Sequence, residues 1–157
     1  MDINLPWTQP HLVGAGSERR PSFANDDRFT AEWWSVNADF APPRYQWRSY
    51  VCENAEVARV LLSLEFQSHE LPHTAAVLIW FLEVRADLQR SRHHYGTAVV
   101  TDLAAEFSNI ELYVGPNLDA IEFWSRFGWP MCSCEDCRGN HMMIRRAGIP
   151  PTPIDHP

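Results

Sequence analysis

Lysine is absent from this 157-residue chain. Every permanent side-chain cation is therefore an arginine, and Lys plus Arg number 13 against 20 acidic residues, a net charge of −7. Such a chain lacks the basic footprint that non-specific nucleic-acid binding requires, so no nucleic-acid partner is expected. The acidic balance instead favours a cationic partner, such as an amine. Long apolar runs are also missing. The longest, Ala75–Leu82, falls far short of the ~20 residues that cross a bilayer, and no membrane partner is expected. Met1–Trp7 is acidic and proline-containing, without the apolar stretch of a secretory leader. Cysteine is sparse: Cys52, Cys132, Cys134 and Cys137, with the last three inside six residues. A disulfide framework spreads its cysteines, so a reducing, cytoplasmic setting is expected.

What is present is enough for one well-packed domain. Hydrophobic residues make up 45% and charged residues 21%, and seven Trp with eight Phe supply large burial per residue. The reading divides the chain into an irregular arm (1–29), a single domain (30–147) and a proline-rich tail (148–157). Thr30–Phe40 is rich in β-favouring residues and reads as a first strand ended by Pro42-Pro43. Tyr45–Glu53 and Val57–Phe66 read as an antiparallel hairpin about a turn at Asn54-Ala55-Glu56. Ala75–Val84 is a nearly continuous apolar strand, as expected in the middle of a sheet. Val99, Val100, Leu103, Ala104 and Phe107 fall at helical spacing, which predicts a helix over Gly96–Phe107. Asn109–Val114 is a short strand. Asn117 then caps a second helix with Ala120, Phe123, Trp124 and Phe127 on its apolar face, and Gly128 ends it. Trp129–Cys134 and His141–Arg146 read as a terminal hairpin. The class is α+β, with a mixed, mostly antiparallel sheet, flanking helices, one parallel strand–helix–strand crossover and a C-terminal hairpin.

The turn from Glu83 to Thr97 joins the central strand to a helix that opens at Gly96, through Arg85, Arg90, Arg92, His93 and His94. Backbone N–H groups at a helix start beside basic side chains favour a bound polyanion, above all a phosphate. The plainer alternative is a solvated loop whose arginines face water.

The stretches LEVRADLQRSRHHYGTAVVTDL and IELYVGPNLDAIEFWSRFGW together resemble the GNAT superfamily of N-acetyltransferases, over roughly Tyr45–Arg146. The family's helix pattern N-x-x-A-x-x-[FL]-Y-x-x-x-G-F corresponds here to Asn117, Ala120, Phe123, Trp124, Gly128 and Trp129. The resemblance implies an acetyl-coenzyme A cosubstrate in a cleft beside the central strand. Backbone groups near Glu83, Val84 and Arg85 would pair with pantetheine, and the amides of His93, His94, Tyr95, Gly96 and Thr97 would hold the pyrophosphate. Arg90 or Arg92 would add charge, and Asn117 belongs to the same implied cofactor site. Glu83 or Glu65 would be the general base, the plainer alternative for each being a paired or outward carboxylate. The acceptor would be a primary amine of a small molecule or a protein; a homodimer stays open. Two positions depart from the pattern. His94 stands where the turn's first glycine is expected, and Trp124 stands where the family often has a tyrosine as general acid. An indole N–H cannot serve as that acid. Tyr95 and Tyr113 are substitutes in type only. The competing expectation is therefore a binding or regulatory protein on the same fold, without turnover.

Cys132, Cys134 and Cys137 with His141 form a separate group of three thiols and one imidazole, the composition of a structural zinc site. Cys134-x-x-Cys137 followed by Arg-Gly-Asn resembles a zinc knuckle, which normally borrows its other ligands from farther along the chain. The alternatives are reduced thiols or one disulfide. A zinc-bearing terminal hairpin would also suit a partner-binding module. His69 and His73 are expected as a surface pair in a polar loop. Trp33, Trp34 and Trp47 suit an acceptor pocket, and core packing more.

Overall fold

The computed structural model describes residues 5–15, 19–35, 40 and 43–148. In chain order these form β1 (Trp7–Thr8), β2 (Leu12–Val13), β3 (Arg20–Pro21), α1 (Ala31–Trp34), β4 (Tyr45–Cys52), β5 (Ala55–Gln67) and β6 (Ala75–Val84), then α2 (Tyr95–Glu106), β7 (Leu112–Val114), α3 (Ile121–Ser125) and β8 (Met143–Arg145). Six strands lie in one sheet in the order β1-β4-β5-β6-β7-β8. β6 and β7 are parallel, with α2 as the crossover, while β1/β4, β4/β5 and β7/β8 are antiparallel. This is the α+β arrangement that the pattern of strands and helices predicts. Among the described residues no helix is long and apolar enough to cross a membrane.

The hairpin of β4 and β5 turns at Glu53 and Asn54, between paired Cys52 and Ala55. Both turn residues have positive φ, 49° and 65°, the backbone of a two-residue primed turn that matches strand twist. The turn thus sits one residue earlier than the sequence suggests.

The chain divides into two compact units, one comprising residues up to Leu64 with Trp80–Val100, the other Glu65–Ile79 with Thr101 onward. The core of the first is aromatic: Phe29, Trp34, Trp47 and Leu61 are buried, with Phe23, Trp33, Phe40 and Phe81 packed against them. Trp34 and Trp47 meet edge-on at 6.2 Å and Trp33 stacks on Phe81 at 5.3 Å. The three tryptophans are therefore packing residues. Arg59 is buried here between Phe23 and Phe29, 4.5 and 4.1 Å from the ring centroids. Its charge is met by Glu56 at 2.7 Å and by the Ala24 carbonyl at 2.8 Å.

The expected strand at Thr30–Phe40 does not form at its start. Ala31–Trp34 is one helical turn instead, and residues 36–39 lie outside the described set. The reason is tertiary. Glu83 Oε1 accepts from both the backbone N and Oγ1 of Thr30, at 2.7 and 3.0 Å, and Oε2 accepts from Trp34 Nε1 at 2.9 Å. A carboxylate at a helix start satisfies its orphan donor and suits the helix dipole. A four-residue helix would not persist without such support.

In the second unit, Leu112–Val114 pairs with both β6 and β8. Asn117 caps as expected, its Oδ1 accepting from Ala120 N at 3.0 Å, but the turn it opens is 3-10 over Leu118–Ala120 before α3 begins. Gly128 follows at φ +66°, the left-handed backbone that ends a helix most easily at glycine. In the terminal hairpin Met131 bridges Met143. Cys132 N donates to the Met142 carbonyl at 2.7 Å, and Ile144 N to the Pro130 carbonyl at 2.9 Å.

Candidate functional site

Among the described residues two constellations hold the candidate site residues, one in each unit. In the first, β6 runs into the turn leading to α2. Arg85, just after β6, is engaged locally: its Nε meets Asp87 at 2.7 Å, its Nη1 donates to the Glu56 carbonyl at 3.1 Å, and its backbone N donates to the Val57 carbonyl at 2.9 Å. The Val84 carbonyl accepts from Gln89 Nε2 at 2.8 Å. Arg90 and Arg92 are exposed. Arg90 and His94 both have positive φ, 58° and 52°.

The His94 value bears on the departure noted above. Histidine occupies a position where the family turn has glycine, and it adopts the left-handed backbone that glycine would supply. The Ala98 amide then donates to the His94 carbonyl at 3.0 Å, the first bond of α2. The first turn of an α-helix directs its N–H groups beyond the helix start, and here these belong to Tyr95, Gly96 and Thr97. Gly96 is buried. His93 and Tyr95 stack, with ring centroids 5.5 Å apart and planes 24° from parallel. Burial, followed by a hydrogen bond with Cys52, raises the Tyr95 hydroxyl above its ordinary pKa.

The two acidic candidates differ in kind. Glu83 is buried, and its oxygens accept three hydrogen bonds from Thr30 and Trp34. It holds the start of α1. Glu65 is exposed near the end of β5.

In the second unit, Trp124 is buried within a ring cluster of Phe123, Phe127 and Trp129, at centroid distances of 5.1, 5.8 and 5.7 Å. Tyr113 is buried and committed. Its hydroxyl donates to Glu111 Oε2 at 3.0 Å and accepts from His69 N at 2.9 Å. Desolvation pushes its pKa up.

The second constellation is the cysteine cluster. His69 Nδ1 lies 3.1 Å from Cys137 Sγ, 3.5 Å from Cys134 Sγ and 3.7 Å from Cys132 Sγ. These four ligand atoms fall within 4.8 Å of one another, and the group could hold a metal ion. The imidazole that joins the three thiols is thus His69 and not His141, which falls outside the group. His141 sits at φ +55° in the return after Gly139. His73 is exposed in the same loop, and His69 lies beside the three sulfurs. No local spacing announces it, because 63 residues separate it from Cys132. The one sequence signal was indirect: a knuckle pair needs ligands from elsewhere in the chain. The thiols differ in environment. Burial raises Cys132 and pushes Cys137 up to about 12, while a hydrogen bond from Cys132 lowers Cys134.

The N-acetyltransferase YlbP of Bacillus subtilis, solved in complex with coenzyme A, shares the fold: TM-score 0.54 and 17% identity, over 66% of this chain and 69% of that one. The chain has the GNAT fold. An acetyltransferase from Thermus thermophilus matches at TM-score 0.51 and 19% identity, over 66% and 65% of the two chains. The protein of a KacTA–DNA complex matches at TM-score 0.53 and 14% identity, over 68% and 70%. No family model and no curated protein matches the sequence. At these identities the GNAT likeness is one of architecture, so the activity must be argued from the residues.

Proposed function

We propose that the protein is an acyl-coenzyme A-dependent N-acetyltransferase that acetylates a primary amine of a small molecule or a protein. The observation that carries this is the left-handed His94 immediately before α2, in the turn where the GNAT pattern binds pyrophosphate. A structural neighbour of the same fold was solved with coenzyme A. The amides of Tyr95, Gly96 and Thr97 would meet the pyrophosphate, with the exposed guanidinium of Arg90 or Arg92 beside it. Val84, Arg85, His93 and His94 contribute mainly by shaping the turn, since the Val84 carbonyl and the Arg85 amide already have partners. Asn117 acts as a helix cap.

In the reaction the acceptor ammonium first gives its proton to a base, and the neutral amine attacks the thioester carbonyl. A C–N bond forms, the C–S bond breaks, the new amide nitrogen loses its extra proton, and coenzyme A leaves as a thiolate that takes up a proton. Of the two carboxylates that the resemblance offers as base, Glu65 is exposed and Glu83 is occupied in holding α1. Trp124 offers no acid for the leaving thiolate, so protonation falls to solvent or to Tyr95. The same buried indole supports a second reading, cofactor binding without turnover.

A thermal shift with acetyl-coenzyme A tests the binding half. Saturation at a hundredfold excess over Kd adds about 2.7 kcal/mol, roughly 5–10 °C for a chain of this size. No shift at millimolar ligand would overturn both readings. A shift without thiol release across an amine panel would select the second.

A further inference from the structure

The acyl-transfer reading makes no use of the cysteine cluster. We propose that His69, Cys132, Cys134 and Cys137 form a closed, structural zinc site that fastens the loop between β5 and β6 to the C-terminal segment of the same unit. This inference is independent of whether the protein binds coenzyme A.

The geometry suits one tetrahedral ion. With Zn–S near 2.3 Å and Zn–N near 2.0–2.1 Å, neighbouring ligand atoms lie roughly 3.5–3.8 Å apart. The distances from His69 Nδ1 to the three sulfurs, 3.1, 3.5 and 3.7 Å, bracket the lower part of that range. All three cysteines are free. Three sulfurs and one imidazole select zinc over the oxygen-seeking magnesium and calcium. Four protein ligands leave no coordination position for substrate, which marks a structural site rather than a catalytic one.

Each ligand is also positioned by the surrounding chain. Cys134 caps a 3-10 turn over Glu135–Cys137, and Cys137 N donates to the Cys134 carbonyl at 3.2 Å. Two residues later Gly139 takes φ +87°, a backbone that suits glycine. Cys132 is fixed through its bond to Met142. His69 is held from behind: its N–H donates to the Tyr113 hydroxyl, and Glu111 accepts from Tyr113 and from Ser68 Oγ. Ser68 Oγ in turn accepts from the amides of Glu70 and Leu71, at 3.2 and 2.8 Å. Ala76, Leu78 and Ile144 pack with Cys132 and Cys137 in one buried cluster, which keeps the thiolate side dry. Binding one Zn²⁺ would displace three thiol protons and leave the site with a net charge of −1, with no change of oxidation state.

The test uses full-length protein expressed with zinc in the medium, desalted, and measured by elemental analysis and native mass spectrometry. About one zinc per chain is expected. His69→Ala should lose most of the metal, and His141→Ala should keep it. His69→Cys, which offers four thiolates, should keep it too and guards against a fold lost through His69→Ala. Cobalt(II) added to apoprotein should give thiolate charge-transfer absorption that zinc abolishes. Three results would each overturn the proposal: protein that neither carries nor takes up zinc, a mass showing a disulfide among these cysteines, or equal metal loss from His141→Ala and His69→Ala.

Discussion

Glu83 and Trp34 are joined across 49 residues of sequence by an indole-to-carboxylate hydrogen bond of 2.9 Å. The other Glu83 oxygen takes both donors of Thr30. A side chain in the sheet thereby sets where the preceding helix begins.

This relationship makes Glu83→Gln informative. Glutamine keeps one oxygen but turns an NH₂ group towards a donor, either the Trp34 indole or Thr30. The expected cost is about 1–3 kcal/mol, from a buried donor left without its acceptor. Denaturant midpoints would show it. If the variant has wild-type stability and loses only activity, Glu83 serves as the base and the anchoring account is wrong.

His94 offers a second test, since its φ of 52° is costly for most side chains. His94→Gly should leave stability unchanged or raise it slightly, whereas His94→Val should lower it by about 1–2 kcal/mol. Coenzyme A binding should follow the same order. Chemical denaturation with both variants decides it, and equal stabilities would argue against a left-handed turn.

Tyr113→Phe removes the hydroxyl that links His69 N to Glu111. The neutral-pH cost should be about 1–3 kcal/mol, because buried groups on both sides lose their partner. Zinc affinity should fall on the order of tenfold. The pH dependence has a definite sign. Burial raises the Tyr113 pKa in the folded protein, so its contribution is complete below the ordinary tyrosine value near 10 and is lost as pH rises through the folded value. The stability gap between wild type and Tyr113→Phe should narrow in alkaline melts. A gap that widens would contradict this.

How much of this could be read in advance depended on the range of the interaction. β6 was legible at its stated bounds, Ala75–Val84, because a buried central strand is written as one apolar run. α2 was legible to within a residue from the spacing of Val99, Val100, Leu103 and Ala104. The helix start at Asn117 was legible through its cap chemistry, although the first turn proved to be 3-10. The errors share a different cause. Thr30–Trp34 has strand-like composition but becomes a helical turn because Glu83 reaches it. His69 looked like a loop histidine because its sulfur partners lie more than sixty residues away. His141 looked like a ligand because it is near in sequence. In each case the deciding contact was long-range and polar, and such contacts leave no periodic trace.

The buried pairing of Arg59 with Glu56 and the Ala24 carbonyl bears on how the chain is made. A ribosome releases residues 22–34 before the residues they dock on. Their two polar docking points, Arg59 and Glu83, emerge 35 and 53 residues after Ala24 and Thr30 respectively. Until Arg59 has emerged, the aromatic side chains of Phe23 and Phe29 lack the β4–β5 hairpin they pack against, and until Glu83 has emerged α1 lacks its anchor. The segment 22–34 is therefore translated early and docked late, so a nascent chain stalled before Arg59 should present those rings to a chaperone or a protease.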